Sequence, residues 1–419
     1  MKRSSFIRDQ YFPFILFLFS PILTLFIALK EYKSNWAKNV LWLFVVFFAF
    51  SMSKIFDEWD ISRYIQQFKD FHSRDVTFSI FWEDIINNNP DFLQSLINYL
   101  VSRITGNTQV ILAVYGTVYG YFFSRNIFYM LDFLKDKITI KIGLVVFAVS
   151  FIVSIMDFNG FRYWTAAHMF IYGIVNFYLL GKKKYGFFWI LITFTMHFSF
   201  SLNIIVFIVH EFFLKKQVLL GIAMYIVTLN MGSIGVDKLI PKDLMPKTYE
   251  QKASTYANED NMAAVKETES SYAVNSYVAW PRTLLNYLTW AIILTILFKL
   301  VYRRIELPHP EMLSMVFWFG SVANLAATNS ISGARFISIF SILFFIYAFF
   351  IYDYLIEEYY FNVFVEYYSW VFVVSAIVNI RRLFDVMGFS ALLGGPVIRA
   401  WMPEDIPIID AFKSCFPSF

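Results

Sequence analysis

The chain has 419 residues, 58% of them hydrophobic and only 16% charged, and its mean hydropathy is +0.56. Soluble domains carry about 25% charged residues, so the composition excludes an ordinary soluble fold and predicts an all-α, polytopic transmembrane bundle. In such a chain a net charge of +4 reports topology and argues for no nucleic-acid partner, and the lone Cys415 excludes an intramolecular disulfide or a multi-cysteine metal site.

In chain order, the first apolar run goes from Tyr11 to Leu29. It is long for a leader core and lacks a small-residue cleavage site, so it is predicted to be the first span. Further spans are predicted near 39–53, 107–131, 138–156, 163–180, 185–214, 217–232, 282–301, 311–328, 336–352 and 361–379, giving about 11–13 membrane segments. The piece "GFSALLGGPVIRAW" (388–401), interrupted by Gly394, Gly395 and Pro396, is expected to be re-entrant or interfacial. The whole chain, 1–419, reads as one integral membrane domain with two long exposed loops, 54–106 and 233–279.

The loop 54–106 holds eight carboxylates against five basic residues. Within it "PDFLQSLINYLVSRI" (90–104) has the spacing of an amphipathic helix on the membrane surface. The loop 233–279 has seven carboxylates and five lysines. The short connections are basic instead: Lys30, Lys33 and Lys38; Lys135, Lys137 and Lys141; Lys182 to Lys184; Lys215 and Lys216; Arg303 and Arg304. Short basic loops face the cytoplasm, which puts both acidic loops outside, together with "MDFNGFR" (156–162) and "NSISGAR" (329–335). Lys2, Arg3, Arg8, Arg381 and Arg382 then also fall outside, against the rule.

The run 185–214 has lysine clusters at both ends and "HFSFSLN" in its middle. One helix of 30 residues would be ~45 Å long and would leave the second cluster on the wrong side. A broken hairpin turning at His197 satisfies both clusters. Its arms are too short for a core of about 30 Å, so the polar turn must line a cavity at depth.

Candidate site residues follow from this topology. Arg162 and Arg335 open spans from short outer turns, where a guanidinium fork suits phosphate or pyrophosphate; snorkelling to headgroups is the plain alternative. His197, an ionisable group in a membrane segment, suits general-base work, with Ser199 beside it. In "DEWDISRYIQQF" (57–68), Asp60, Tyr64 and Phe68 share a helix face, and Arg63 can pair with Asp60. Asp57, Glu58 and Asp60 offer a base or weak cation ligands, although a solvated charged helix start is the more common explanation of such a cluster. His72, His168, His210 and His309 have no partner nearby in sequence, and phosphate-loop, zinc-hydrolase and serine-hydrolase motifs are absent.

Taken together, Asp60 and Tyr64, Arg162 with Ala166 and Ala167 behind it, the lysine turn 182–184, "HFS" at His197 to Ser199, and Arg335 with Phe336 resemble the EpsG-like branch of the Wzy-type polysaccharide polymerases over roughly residues 55–345. Phe200 stands where that pattern usually has a small alanine, and Gly173 echoes an arginine–glycine spacing of such polymerases. The resemblance implies a GT-C-like helical architecture in the bacterial inner membrane with the site facing the periplasm. It implies transfer of a growing glycan from undecaprenyl pyrophosphate to the terminal sugar hydroxyl of another lipid-linked oligosaccharide unit. Arg162 and Arg335 would stabilise the pyrophosphate, and His197 or Asp60 would be the base; Asp57, Arg63, Tyr64 and Ser199 would contact substrate. Tryptophans such as Trp59, Trp82, Trp164 and Trp280 could stack on sugars or sit at the interface. No cofactor or metal is implied; the expected partners are the lipid-linked oligosaccharide, membrane lipid and a chain-length regulator protein. An O-antigen ligase, which uses the same donor, and a lipid-linked oligosaccharide flippase remain open alternatives.

Overall fold

The computed structural model describes residues 2–57, 59–74, 76–88, 91–231, 276–327, 331–402 and 405–415. Every regular element among them is helical; the only β pairing is two isolated bridges, Met52 with Met387 and Gly388 with Pro407. Most of the loop 233–279 lies outside the described residues.

The first predicted span is two helices, α1 (Lys2–Phe19) and α2 (Pro21–Lys30). Pro21 has no N–H to give to the preceding turn, so the chain breaks before it. α3 (Ala37–Phe50) follows, and three shorter helices, α4 (Asp60–Ser73), α5 (Phe78–Asn88) and α6 (Phe92–Ser102), fill the acidic loop. α6 is the amphipathic helix expected at 90–104. Then come α7 (Thr108–Leu134), α8 (Ile140–Ser150) and α9 (Phe161–Tyr178). Nearly all of α9 is buried, the polar Thr165, His168 and Asn176 included, as befits a helix enclosed by others.

The run 185–214 is a broken hairpin, as its flanking lysines require. α10 (Lys183–Met196) ends at His197, and α11 (Phe200–Val209) returns and continues as a π turn, His210–Leu214. α10 lies against α9 with Gly173 and Gly186 facing each other. A Cβ on Gly186 would stand 2.6 Å from the Gly173 carbonyl oxygen, and one on Gly173 3.0 Å from the Gly186 carbonyl oxygen. Only residues without side chains allow this approach of two backbones.

α12 (Val218–Asn230), α13 (Ser276–Leu297, continuing as a π turn to Tyr302), α14 (Pro310–Ala327) and α15 (Ile331–Phe350) complete the bundle. The span expected at 361–379 is two helices, α17 (Tyr359–Tyr368) and α18 (Val371–Phe384), bent by 54° and preceded by the short α16 (Tyr352–Ile356). By length and composition, the runs Ile140–Tyr178 and Thr283–Tyr302 can each cross a membrane, the bent pair makes a third, and five shorter apolar helices accompany them. The expected 11–13 segments thus include many that are short or broken.

The piece 388–401 is not a regular span. It is a 3-10 turn and the five-residue α19 (Gly395–Arg399), laid against the end of α1 and the exit of α3. The Gly394 N–H donates to the Phe19 carbonyl at 3.0 Å, and the Gly388 N–H to the Ser51 carbonyl at 3.2 Å. Gly394 and Gly395 adopt positive φ, +92° and +52°, which suits residues lacking a Cβ. Arg399, Asp405 and Ser390 form a polar knot that closes this segment before the last helix, α20 (Ile408–Cys415).

The two ends of the bundle differ in chemistry. At one end basic connections meet an acidic one: Lys33 pairs with Asp136, Lys137 with Asp353, Lys141 with Glu366, and Lys299 and Arg303 with Glu358. At the other end α4–α6 cover the starts of α7 and α9 and the hairpin turn. A polar network fixes this cover. The Gln94 amide donates to the Tyr115 hydroxyl at 2.9 Å, and the Asn98 amide donates to the Tyr64 carbonyl at 2.9 Å and to Gln67 at 3.0 Å.

Candidate active site

Arg162 is the second residue of α9 and points under the α4–α6 cover. Its Nη1 donates to Asp91 Oδ2 at 3.2 Å and its Nε to the Tyr64 hydroxyl at 3.0 Å, while the guanidinium carbon lies 5.0 Å from the Tyr64 ring centroid. The Asp91 side chain is 2% exposed and that of Arg162 26%. Burial pushes the Tyr64 phenol up from its usual value, against the pull of Arg162, so it stays protonated at neutral pH.

Asp91 sits at the N-cap position of α6 but makes no side-chain cap bond to that helix. Its second oxygen, Oδ1, accepts the Phe198 backbone N–H at 2.6 Å. One carboxylate therefore ties the cover, the start of α9 and the hairpin turn together.

That bond explains why the hairpin breaks where it does. α10 needs the Phe198 and Ser199 N–H groups for its next two rungs. Phe198 gives its N–H to Asp91, and Ser199 gives its own to His197 Nδ1 at 3.3 Å. His197 turns extended, φ −153° and ψ 118°, and α11 starts afresh from Ser199. The Ser199 hydroxyl also lies 2.8 Å from His197 Nδ1. The imidazole is 8% exposed, edge-on to Tyr163 at 5.2 Å between centroids and stacked near Phe198 at 5.9 Å.

Tyr163 links His197 to the second arginine. The Arg335 guanidinium carbon lies 5.2 Å from the Tyr163 centroid, and Phe336 closes the same aromatic group at 6.0 Å from Tyr163. Among the described residues no carboxylate forms an ion pair with Arg335, which is half-buried. Arg162 is neutralised by Asp91, and Asp60 pairs with Arg63. Among the described residues Arg335 rests on the Tyr163 ring without a carboxylate partner.

Of the residues expected at the site, Tyr64, Arg162, His197, Ser199 and Arg335 are brought together. Asp60 lies beside them: it pairs with Arg63, and its charge acts on Tyr64 and Arg162. The buried face of α4 is Ile61, Tyr64, Ile65 and Phe68, so Asp60 stands at its edge rather than in line with Tyr64 and Phe68. Arg63 points outward with its side chain 74% exposed, Asp57 is exposed, and Glu58 lies outside the described residues. Trp59 and Trp164 are half-buried and Trp82 is exposed; the Trp280 side chain is outside the described residues. Among the described residues no three His, Cys, Asp or Glu side chains cluster as metal ligands would.

Two residues escaped the sequence reading, Asp91 and Tyr163. The one signal for Asp91 was a carboxylate directly after Pro90 at the head of an amphipathic helix, which reads as an ordinary cap. Three of the other histidines find distant partners. The His72 Nδ1–H donates to the Ser102 carbonyl at 2.7 Å, His168 lies 3.2 Å from the Asn126 amide, and His210 lies 2.9 Å from the Tyr178 hydroxyl.

A model of the EpsG family matches residues 39–390. The chain belongs to the EpsG family, in keeping with the resemblance carried by its arginines and the "HFS" turn. At a coarse level that makes it a membrane protein of the polysaccharide-polymerase kind, with the glycosyltransferase chemistry such a protein implies. No curated protein and no solved structure matches it.

Proposed function

We propose that the chain polymerises oligosaccharide repeat units carried on undecaprenyl pyrophosphate, moving the growing glycan onto the terminal sugar hydroxyl of another lipid-linked unit. The observation that carries this reading is Arg335, which shares the Tyr163 ring with His197 and forms no ion pair with a carboxylate among the described residues, while Arg162 next to Tyr163 is held by Asp91. A half-buried guanidinium of this kind suits an anion. Around it are a second guanidinium, an imidazole and a phenol, the groups a departing pyrophosphate requires.

In the transfer, the bond from the donor sugar C1 to the pyrophosphate oxygen breaks, and its electron pair leaves with the pyrophosphate. The acceptor hydroxyl oxygen bonds to C1, and its proton passes to a base at the site. The donor is already activated, so the site's work is positioning and charge stabilisation. The bundle end rich in lysine faces the cytoplasm on this reading, and the site opens to the outer face of the inner membrane. Asp57, Arg63, Tyr64 and Ser199 are proposed as further substrate contacts and a chain-length regulator as a partner.

The test is the length ladder of the surface glycan in a deletion strain complemented with wild type or with Arg162→Ala. Long chains from wild type and single units from the variant support the assignment. Lipid-linked units trapped in the cytoplasmic leaflet on deletion would identify a flippase instead.

A further inference from the structure

The end of α9 remote from Arg162 carries a second polar constellation, built on α3, α7, α9 and α10, that the transfer reaction does not use. We propose that it binds the headgroup of an anionic phospholipid, with Arg125 and Lys182 as the cations that hold the phosphate. The proposal goes beyond the polymerase reading and does not depend on it.

Arg125 is the centre of this site. It lies on α7, and the start of α3 fixes its depth at the lysine-rich end of the bundle. Its Nη1 donates to the Lys38 carbonyl at 3.2 Å and to the Ser124 hydroxyl at 2.9 Å, and its Nη2 donates to Asn39 Oδ1 at 2.6 Å. The guanidinium carbon lies 4.5 Å from the Tyr121 ring centroid and 5.4 Å from that of Trp42. An arginine that merely marks the membrane surface turns its charge to water; this one is half-buried against two rings. The groups that act on it most are the phenols of Tyr121, Tyr172 and Tyr129, and among the described residues no carboxylate pairs with it.

The donor count says what it can take. A guanidinium has five N–H groups, and the bonds above use both of Nη1 and one of Nη2. Nε–H and the second Nη2 N–H remain, and together they form the edge of the fork that grips two oxygens of one phosphate. Further donors lie alongside. The Tyr121 and Tyr172 rings are 6.2 Å apart, and the Tyr172 and Tyr185 hydroxyls 3.2 Å. Trp189, 6.1 Å from Tyr185 between rings, has its Nε1 buried and bonded to no acceptor among the described residues. Lys182, at the N-cap of α10, is exposed and acts on Tyr185. Lys38 interacts with Asp132 instead.

The place suits a lipid. Tyr172 is ten residues along α9 from Arg162, ~15 Å by the helix rise, so the two sites are separate. α10 runs into the membrane from Lys182 with Tyr185, Phe188 and Leu191 exposed. A phosphate held at Arg125 and Lys182 would therefore leave its acyl chains against apolar side chains.

The test uses the full-length protein in a neutral detergent. It reads the thermal unfolding midpoint as dioleoylphosphatidylglycerol, dioleoylphosphatidylcholine or inorganic phosphate is added. Wild type should gain stability from phosphatidylglycerol alone. Arg125→Gln should raise the lipid concentration needed for half that gain by about tenfold or more. Lys216→Gln should leave it unchanged, because Lys216 is exposed beyond Leu214, whose carbonyl is held by Ser314 on α14. Equal gains from the two lipids, or the same gain from inorganic phosphate, overturn a lipid-headgroup site. An unchanged response in Arg125→Gln, or an equal loss in Lys216→Gln, overturns the assignment to this groove. Should Arg125→Gln fail to fold, Lys182→Gln and Tyr185→Phe take its place on the exposed rim. Each should weaken the response, and a wild-type response from both overturns the proposal.

Discussion

Asp91 and Arg162, 71 positions apart, meet at 3.2 Å, and the other oxygen of the same carboxylate holds the Phe198 N–H at 2.6 Å. The pair thus sets the depth of the hairpin turn relative to α9. Asp91→Ala should remove both bonds. Deleting one partner of a fully buried pair costs about 3–5 kcal/mol; with Arg162 a quarter exposed, about 1–3 kcal/mol is expected after screening. The thermal unfolding midpoint in detergent should fall by several degrees, and polymer should be lost. Asp91→Asn keeps an acceptor for Phe198 and should fall between the two. An Asp91→Ala protein as stable as wild type would refute the tie.

The two arginines should separate in such measurements. Arg335 rests on the Tyr163 ring and pairs with no described carboxylate, so Arg335→Ala loses a contact of about 0.5–1 kcal/mol and should barely shift the unfolding midpoint. Polymer should nevertheless disappear, because the guanidinium on the Tyr163 ring is gone. Arg335→Lys keeps the charge without the planar fork and should restore part of the chain length. Arg162→Ala, which strands the buried Asp91, should reduce both stability and polymer. Equal stability losses from Arg162→Ala and Arg335→Ala would contradict this division.

How much of this was legible beforehand depends on sequence separation. The hairpin was readable because its signals are local: lysines at both ends and "HFS" between them. Arg162 and Arg335 were readable because each opens an apolar run. Asp91 was not, because its partners lie 71 and 107 positions away and its place at a helix head already had a plain explanation. Tyr163 was hidden because an aromatic at a span start reads as an interface belt residue. The breaks at Ser20–Pro21 and Ser369–Trp370 were missed because apolar composition continues through both.

The contact of α9 with α10 carries the hairpin, so Gly186→Ala should act at a distance. Its Cβ would lie 2.6 Å from the Gly173 carbonyl oxygen and from the Phe177 nitrogen. Backbone atoms cannot rotate away, and overpacking of this kind costs about 1–3 kcal/mol. Spreading the helices would also move His197 from Arg162, so shortened chains should accompany a lower unfolding midpoint. Gly143→Ala on α8 is the control. Its Cβ would meet only Ile138 Cγ2 at 3.9 Å, so the midpoint should hold or rise slightly, alanine being the better helix former. Matching effects from the two substitutions would refute the close-approach argument.

At the opposite end Lys299 is fully buried, with its Nζ 2.8 Å from Glu357 Oε2 and 3.2 Å from Glu358 Oε1. A buried ammonium is tolerated only while paired, and an apolar residue of similar shape is often no worse. Lys299→Met should therefore change the unfolding midpoint little, because Glu357 is 61% exposed and Glu358 keeps Arg303 at 3.3 Å. The double change Glu357→Gln with Glu358→Gln keeps the ammonium buried and removes both negative charges. It should lower the unfolding midpoint by more than Lys299→Met does. The same inequality fixes the pH response. Lys299 holds the Glu357 carboxyl below its usual value of 4.5, so the pair's contribution is present above that pH and is lost as the solution is acidified through the lowered value. Lys299→Met should remove that acid sensitivity. A methionine variant less stable than the double glutamine variant would show that the ammonium does more than fill space beside two carboxylates.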